Sequence, residues 1–284
     1  MDTSQQLGDF LSTRRARLQP QDVGLPYYGT RRRVPGLRRE ELAQLAGVSA
    51  DYYARLEQGR LDNVSFTVLD AVATALRLSD DERGYLYQLA HPPAPGDEPV
   101  APVLRPALHA LLAAMEQIPA YIVGHRTNIL GWNHAATVLF GIDFATLPGP
   151  QRNWAHLVLL DPRLRTLLAG EQPVIARQIT HDLRMRLAHR PGDSELRDLV
   201  DRMRSSSAQF DELWSSHDVV GVAHGVYHFQ HPEVGPISLD YEFLPLTADP
   251  GVRAMVAYTI APGEAGQRAL RELITRSLRF GDSI

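Results

Sequence analysis

The chain has 284 residues with a formal net charge of −4 at pH 7; 44% of them are hydrophobic, 22% are charged and none is cysteine. These values are typical of a globular protein with two domains of ordinary size, exclude disulfides and thiolate metal sites, and show no general excess of positive charge for nucleic-acid binding. No apolar run is long enough to span a membrane and the polar start of the chain does not fit a signal peptide, so a cytoplasmic protein is predicted.

The first third of the chain has the apolar spacing of short amphipathic helices. Leu7–Leu18 predicts the first helix, and a turn-rich segment follows up to Gly36. Further on, Phe66–Leu76 predicts another helix. Ser79 can cap a last one, because Glu82 stands three residues later and completes a capping box.

Between these elements, residues 38–60 read RREELAQLAGVSADYYARLEQGR. The helical pattern stops at Gly47, a residue suited to a left-handed turn, and restarts after Ser49, which can cap a second helix that ends at Gly59. Two short helices joined by a tight turn predict a helix-turn-helix. In the second helix, Tyr53 is predicted to face the core, and Glu57 to form a salt bridge with an early arginine.

In a helix-turn-helix, the second helix lies in the major groove and presents its first residues to the base edges. Arg55 could donate two hydrogen bonds to a guanine, and Asp51 could accept one from a cytosine amino group. The residues predicted to contact DNA belong to this helix, its flanks or the arginine-rich segment before it. They are Arg31, Arg32, Arg33, Arg38, Arg39, Ser49, Ala50, Asp51, Tyr52, Arg55 and Arg60. The alternative is that the arginines only make a surface soluble.

The string RRRVPGLRREELAQLAGVS, followed by YY and RLEQGR, resembles the Xre family of bacterial repressors, and in particular its MmyB-like branch. The resemblance covers Leu7 to Ala90 and implies a five-helix DNA-binding domain. We therefore expect this domain over residues 1–91, followed by a proline-rich linker over residues 92–106. A twofold regulator of this kind is expected to bind a palindromic operator in double-stranded DNA as a homodimer.

Residues 107–284 predict a second, α+β domain. Two short strands flank the turn at Arg126 in AYIVGHRTNILGWN, and Asn133 and Asp161 are each placed to cap a helix. Three further helices are expected. The predicted order then continues with strands over residues 219–229, 237–246 and 253–260 and a final helix over residues 265–278. This order predicts an antiparallel sheet covered by helices on one side.

The order of elements resembles a PAS-type sensor, and more specifically the MmyB-like ligand-binding domain, through LGWN, DPRLR, SSSAQFDELWSSHDV and YHFQHPEVGPISLDYEFL. The resemblance implies a small apolar, fatty-acid-like ligand held between the sheet and its helices. Large aromatic side chains and two histidines that could anchor an acidic group are the predicted ligand-binding residues. They are Tyr121, Trp132, Phe140, Phe210, Trp214, His217, Tyr227, His228 and Tyr241.

Four histidines, His217, His224, His228 and His231, fall within fifteen residues and raise the alternative of a metal-dependent enzyme with a DNA-binding head. The surrounding β-branched residues predict a strand, on which His224 and His228 would stand about 13 Å apart, too far to share one metal. His231 precedes a proline and is predicted to be a turn residue. A PAS-like domain that holds flavin or haem is another alternative. The main prediction is a transcription regulator that is not an enzyme and has neither metal nor cofactor.

Overall fold

The computed structural model of the chain describes residues 3–25, 36–61, 64–91, 103–190, 192–218, 224–246, 248–259 and 265–280. The chain forms two compact units. The first comprises Met1–Gly96 with Arg184–Ser194 and Leu213–Val220, and the second comprises Asp97–Leu183, Glu195–Glu212 and Gly221–Ile284. Within the described ranges, no helix combines the length and the apolar character that crossing a membrane requires.

The N-terminal part of the first unit consists of short helices. A 3₁₀-helix at Pro20–Val23 follows the first of them, and the α-helices are α1 (Thr3–Arg17), α2 (Arg39–Leu45), α3 (Ala50–Glu57), α4 (Phe66–Ala75) and α5 (Asp80–Ala90). Each helix contributes a fully buried side chain to one core: Phe10, Leu42, Leu56, Leu69 and Leu86. The five predicted helices are therefore confirmed, with ends that differ by a few residues.

The second unit is built around an antiparallel sheet. Its strands are β1 (Ala120–Gly124), β2 (Ile129–Trp132), β3 (His224–His231), β4 (Gly235–Pro245) and β5 (Val252–Thr259), in the order β2-β1-β5-β4-β3. The α+β class with an antiparallel sheet is thus confirmed. Part of the predicted strand over residues 219–229 lies outside the described residues, because the description of β3 begins at His224.

The other helices of the chain start with one that comes just before β1. They are α6 (Pro106–Ala114), α7 (His134–Phe140), α8 (Trp154–Leu160), α9 (Pro162–Leu168), α10 (Gln172–His189), α11 (Ser194–Ser206), α12 (Ala208–Ser216) and α13 (Ala265–Phe280). Helices α10 and α12 contribute their C-terminal residues to the first unit. Asn133 and Asp161 cap α7 and α9 as predicted, and Asn133 also accepts a hydrogen bond from the Ala120 backbone N–H at 3.0 Å.

The sheet is covered on both faces, and the prediction of helices on one side was wrong. Leu108 and Leu112 of α6 pack with Ile122 and Met255 on one face, while every residue of β1 is buried. Helix α6 was not predicted because Pro106 was read as the end of the proline-rich linker. Instead it occupies the first turn of a helix, where its missing N–H removes no hydrogen bond. Residues 92–102 of that linker lie outside the described residues.

Candidate functional site

The turn between α2 and α3 has the geometry expected of a helix-turn-helix. Gly47 has a positive φ of 66°, and the Val48 backbone N–H donates to the Ala43 carbonyl at 3.0 Å. The Ser49 side chain then accepts a hydrogen bond of 3.1 Å from the Tyr52 backbone N–H and caps α3. Tyr53 is fully buried, as predicted. The chain therefore reverses direction between two helices that share one core.

Helix α3 is fixed to α1 by a close backbone approach. A Cβ atom on Gly8 would lie 2.3 Å from the Glu57 carbonyl oxygen, and one on Gly59 would lie 2.5 Å from the Ser4 carbonyl oxygen. Only glycine permits such contacts without a shift of the backbone. Gly59 also has a positive φ of 64°. The sequence pattern predicted only that Gly59 ends the helix, and it gave no sign of the role of Gly8.

A buried ion pair strengthens the same junction. Arg15 donates hydrogen bonds of 2.8 Å to both oxygens of the Glu57 carboxylate, and Arg39 donates to Glu57 at 3.0 Å. Burial by itself raises the pKa of the Glu57 carboxyl, but the two guanidinium groups outweigh it and hold that pKa below its usual value. The predicted salt bridge between Glu57 and an early arginine is confirmed.

The outer surface of the helix-turn-helix remains accessible. The residues that were predicted to contact DNA and that the structure shows as exposed lie along α2, α3 and the end of α3. They are Arg38, Arg39, Ser49, Ala50, Asp51, Arg55 and Arg60, and Tyr52 is half-buried beside them. Arg39 forms an ion pair with Glu57, but 44% of its side chain remains exposed. Arg31, Arg32 and Arg33 lie outside the described residues.

The second site is a cavity between α10 and the sheet of the second unit. The volume that the centre of a water-sized molecule can occupy in it is about 60 Å³, and the empty space between its walls, including the part open to solvent, is about 540 Å³. Most of the lining side chains are aromatic or aliphatic. They are Tyr121, Val123, Thr127, Trp154, Ile175, Gln178, Ile179, Asp182, Tyr227, Tyr241, Phe243, Arg253, Val256 and Tyr258.

One wall of the cavity is a single face of α10. Ile175, Gln178, Ile179 and Asp182 follow the spacing i, i+3, i+4 and i+7, which places them on the same side of a helix. Ile175 and Ile179 belong to one of the three further helices that the sequence predicted. Gln178 and Asp182 were missed, although the same spacing places them between the apolar residues.

The β1–β2 turn supplies another part of the wall. Thr127 has a positive φ of 60°, and its hydroxyl donates to the Asn153 side-chain oxygen at 2.9 Å. The Asn153 amide donates in turn to the Arg126 carbonyl at 2.8 Å. Asn153 also caps α8, whose first residue is Trp154. One asparagine therefore positions both Thr127 and Trp154 on the cavity.

Aromatic rings and their hydroxyl groups make up the sheet side of the cavity. The rings of Tyr227 and Tyr241 stack with centroids 4.1 Å apart, and the Tyr227 hydroxyl donates to the Gln178 side-chain oxygen at 2.8 Å. Burial raises the pKa of the Tyr121, Tyr227 and Tyr258 hydroxyls above their usual range. These hydroxyls therefore stay neutral and able to donate hydrogen bonds.

A β-bulge brings a charged residue to this wall. Val123 of β1 pairs with Ala254 of β5, and the next residue of β1, Gly124, pairs with Val252. Arg253 has no counterpart in β1 and is therefore an extra residue in β5. A bulge of this kind turns a side chain away from the direction that regular alternation would give it. Arg253 lines the cavity and forms an ion pair with Asp182.

The guanidinium group of Arg253 also lies over the Phe243 ring, 4.6 Å from its centroid. The two charges are largely covered: the side chains of Asp182 and Arg253 are 11% and 19% exposed. The site therefore combines an aromatic wall with one shielded ion pair. Neither charged residue was among the sequence predictions.

The structure brings only some of the predicted ligand residues together. Tyr121, Tyr227 and Tyr241 line the cavity. Phe140 stands behind the lining, with its ring 5.4 Å from that of Trp154. Trp132 is half-buried and its ring lies 5.5 Å from that of Phe144.

The remaining predicted ligand residues are placed elsewhere. Phe210 is fully buried in the core of the second unit. His228 is exposed on β3, where its Nδ1 lies 2.7 Å from the Ser238 hydroxyl. Trp214 and His217 belong to the first unit, where the Arg184 guanidinium lies 5.0 Å from the Trp214 ring centroid. None of these four is part of the described lining of the cavity.

The histidine-rich segment forms a strand, as predicted. His224 and His228 stand on its exposed face, and His231, its last residue, is buried. His231 was predicted to be a turn residue, but it ends β3; its Nδ1 atom accepts the backbone N–H of Glu233 at 3.2 Å in the turn that follows. Within the part of the chain that the structure describes, no three histidine, aspartate or glutamate side chains gather closely enough to hold a metal ion.

Two family models match the chain. Residues 6–86 match a model described as a helix-turn-helix domain, and residues 104–273 match one described as the MmyB-like transcription regulator ligand binding domain. The second match spans more than half of the chain. The comparison with curated proteins gave no match.

Proposed function

Because the chain belongs to the family of MmyB-like transcription regulators, we propose that it binds a palindromic operator as a homodimer and adjusts this binding to a small apolar ligand. The family assignment makes it a transcription regulator with a DNA-binding domain and a ligand-sensing domain. The finer statements on operator, dimer and ligand are the proposal. Such a regulator acts where the DNA is, in the cytoplasm.

The exposed residues of α3 support sequence-specific recognition. Arg55 and Asp51 lie on the exposed side of a helix whose opposite side, with Tyr53 and Leu56, is buried. A recognition helix in the major groove needs this arrangement, because base edges are read by side chains near its N-terminus. Arg38, just before α2, and Arg60, just after α3, add exposed positive charge suited to phosphates.

The observation that carries the ligand proposal is the aromatic cavity between α10 and the sheet. An apolar molecule would exchange water for contact with Trp154, Tyr227 and Val256, which stabilises the complex through burial of apolar surface. The fatty-acid-like character that the family resemblance implies agrees with this lining. The proposal also includes the predicted domain limits: a DNA-binding domain over residues 1–91, a linker over residues 92–106 and a ligand-binding domain over residues 107–284.

Two measurements test the proposed function. Duplexes selected from a random pool by the purified full-length chain should contain an inverted repeat, and their affinity should exceed that for unselected duplexes by at least about a thousandfold. Selection of no common sequence would contradict operator recognition. Native mass spectrometry of the purified protein should detect a bound apolar molecule, and its removal or addition should shift operator affinity in a gel-shift assay. An operator affinity that is indifferent to every cavity ligand would contradict sensing.

A further inference from the structure

Helix α6 is apolar on more sides than the sheet covers. It reads PALHALLAA, without a charged residue, and it buries only Leu108 and Leu112. On its outer side, 48% of Leu111 is exposed, and 79% of Val103, which precedes the helix, is exposed. A helix that is apolar all round is normally buried on all sides. The outer side of α6 is therefore suited to a partner.

The exposed apolar residues of α6 form one stripe along the helix. Its members follow the spacing i, i+3, i+4 and i+7, which places them on the same face. This α6 stripe consists of Ala107, Ala110, Leu111 and Ala114. Val103 before the helix and Ile118 after it extend the apolar surface at both ends. Because three members of the stripe are alanines, the axis of a second helix can come close.

The sheet holds α6 in a fixed position. A Cβ atom on Gly131 of β2 would lie 2.6 Å from Leu104 and 3.2 Å from Leu112, so the helix and the residues before it lie directly on β2. After the helix, the Asn133 amide donates to the Ile118 carbonyl at 2.7 Å. A partner therefore meets a surface that is already ordered, which lowers the entropic cost of association.

We propose that the α6 stripe binds the same stripe of a second copy of this chain, with the two helices antiparallel about a twofold axis. The inference rests on the proposed homodimer and assigns a contact to it in the second unit. The axis passes between Ala110 and Leu111, so Ala110 of one copy faces Leu111 of the other, and Ala107 faces Ala114. The spacing of the stripe is the same in both directions, as a twofold contact between identical surfaces requires.

The charges beside the helix favour the antiparallel arrangement. Arg105 is the N-cap residue and Glu116 follows the C-terminal end, and both are equally far in sequence from the axis. Antiparallel helices bring Arg105 of one copy towards Glu116 of the other and pair opposite ends of the helix dipoles. A parallel pair places like charges side by side. Arg105 also pairs with Asp249, but 56% of its side chain is exposed and a guanidinium group has donors for more than one carboxylate.

The size of the stripe predicts a dimer of moderate affinity. A helix of nine residues is about 14 Å long, so the stripe alone falls short of the roughly 800 Å² that each partner buries in a standard interface. We therefore expect monomer and dimer to coexist at concentrations on the order of 10 μM. Sedimentation velocity of the full-length chain at about 1–100 μM measures the balance.

Two apolar residues of nearly equal exposure provide the test variant and its control. Leu111→Glu places two like charges beside the axis in an apolar contact, and we expect the dissociation constant of the dimer to rise at least about tenfold. Val226→Glu is the matched control, because 47% of Val226 is exposed on β3, the sheet edge opposite to β2. The control should leave the dissociation constant unchanged, and an equal effect of the two variants would overturn the assignment.

The chain contains no cysteine, so single cysteines introduced on the stripe test the register. Ala110 lies next to the axis, and Ala110→Cys should form a disulfide between two copies under mild oxidation. Ala107→Cys should not bond to itself, because its two positions lie about 10 Å apart along antiparallel helices, beyond the reach of a disulfide. A mixture of Ala107→Cys and Ala114→Cys should form the disulfide that neither variant forms alone.

The outcomes distinguish the stripe contact from the proposed homodimer. A dimer that survives Leu111→Glu, or a disulfide between two copies of Ala107→Cys, would overturn the antiparallel contact and leave the homodimer to another surface. A wild type that stays monomeric in solution would also overturn it, and if the selected operator binds one copy only, the homodimer fails as well. A monomer in which the thiol of Ala110→Cys resists a maleimide reagent would show that the same chain covers its own stripe. If Leu111→Glu does not fold, the cysteine variants at exposed alanines decide alone.

Discussion

Arg15 joins α1 to both helices of the helix-turn-helix through one guanidinium group. Two hydrogen bonds of 2.8 Å reach the Glu57 carboxylate of α3, and a third of 2.6 Å reaches the Leu37 carbonyl just before α2. The bidentate pair is the stronger kind of arginine–carboxylate contact. The position of the recognition helix is therefore set by a residue on a helix outside the motif.

Removal of the charge at Glu57 should destabilise the first unit. Glu57→Gln leaves Arg15 buried without its counter-charge, and we expect a loss of about 3 kcal/mol in the free energy of unfolding. Urea titration followed by circular dichroism measures this loss. Glu40→Gln is the control, because Glu40 is exposed in the first turn of α2 and its charge contributes only about 0.5 kcal/mol through the helix dipole. Equal losses in the two variants would contradict a special role for the buried pair.

Two glycines in helices of the first unit should respond in opposite directions to alanine. Gly8→Ala places a Cβ atom 2.3 Å from the Glu57 carbonyl oxygen, so α1 and α3 must separate, and we expect a loss of about 2 kcal/mol. At Gly84, in the interior of α5, a Cβ atom meets nothing within 4 Å. Gly84→Ala should therefore stabilise the helix by about 0.5–1 kcal/mol. Thermal unfolding of both variants tests the difference, and the same sign for the two changes would refute the close approach.

Acid should weaken the first unit through His217. Burial, and then the positive charges of Arg184, Arg14 and Arg17, lowers the pKa of His217 to about 4, whereas the unfolded side chain titrates near 6.5. Between these values the unfolded chain binds a proton that the folded chain does not. The stability contributed by the neutral ring is therefore complete above pH 6.5 and falls as the pH drops towards 4, by about 3 kcal/mol.

His217→Asn should remove most of this dependence. Asparagine tolerates the left-handed conformation that His217 adopts with a φ of 52°, so the backbone conformation is preserved while the titrating ring is removed. The free energy of unfolding of wild type and variant is compared at pH 4, 5.5 and 7. A slope that stays the same in the variant would assign the acid sensitivity to another group.

Substitutions of the arginines that we propose to contact DNA should have two different effects. Arg55→Ala is expected to relax preference at one operator position at a cost of about 1–3 kcal/mol. Alanine at Arg31, Arg32 and Arg33 should weaken binding to all duplexes and reduce the salt dependence by roughly one unit for each phosphate that is no longer neutralised. Affinities for selected and random duplexes at several salt concentrations distinguish the two effects. Binding by the triple variant that matches wild type at every salt concentration would exclude that segment from the interface.

Local chemistry was sufficient to predict many element boundaries from the sequence. Ser49, Ser79, Asn133 and Asp161 each cap the helix that their residue type predicted. Side-chain caps satisfy backbone N–H groups only a few residues away, so the signal lies within a short window of sequence. The left-handed turn at Gly47 could be predicted in the same way, because few residues other than glycine favour a positive φ.

The cavity depended on information that a local pattern does not contain. Arg253 reaches the wall through a register shift between β1 and β5, strands separated by more than a hundred residues. Alternation along β5 alone would place its side chain with Met255, on the face covered by α6. His228 failed to join the cavity for a different reason: it follows regular strand alternation to the exposed face, opposite to Tyr227.

The bulge in β5 also bears on how such a receptor can change over generations. Arg253 is the extra residue, so the pairing of Val252 and Ala254 with β1 does not depend on which side chain stands between them. One codon change there alters the charge on the cavity wall while the strand ladder is kept. Descendants of this protein can thus acquire a different cavity wall by a mutation that leaves the pairing of β1 with β5 in place.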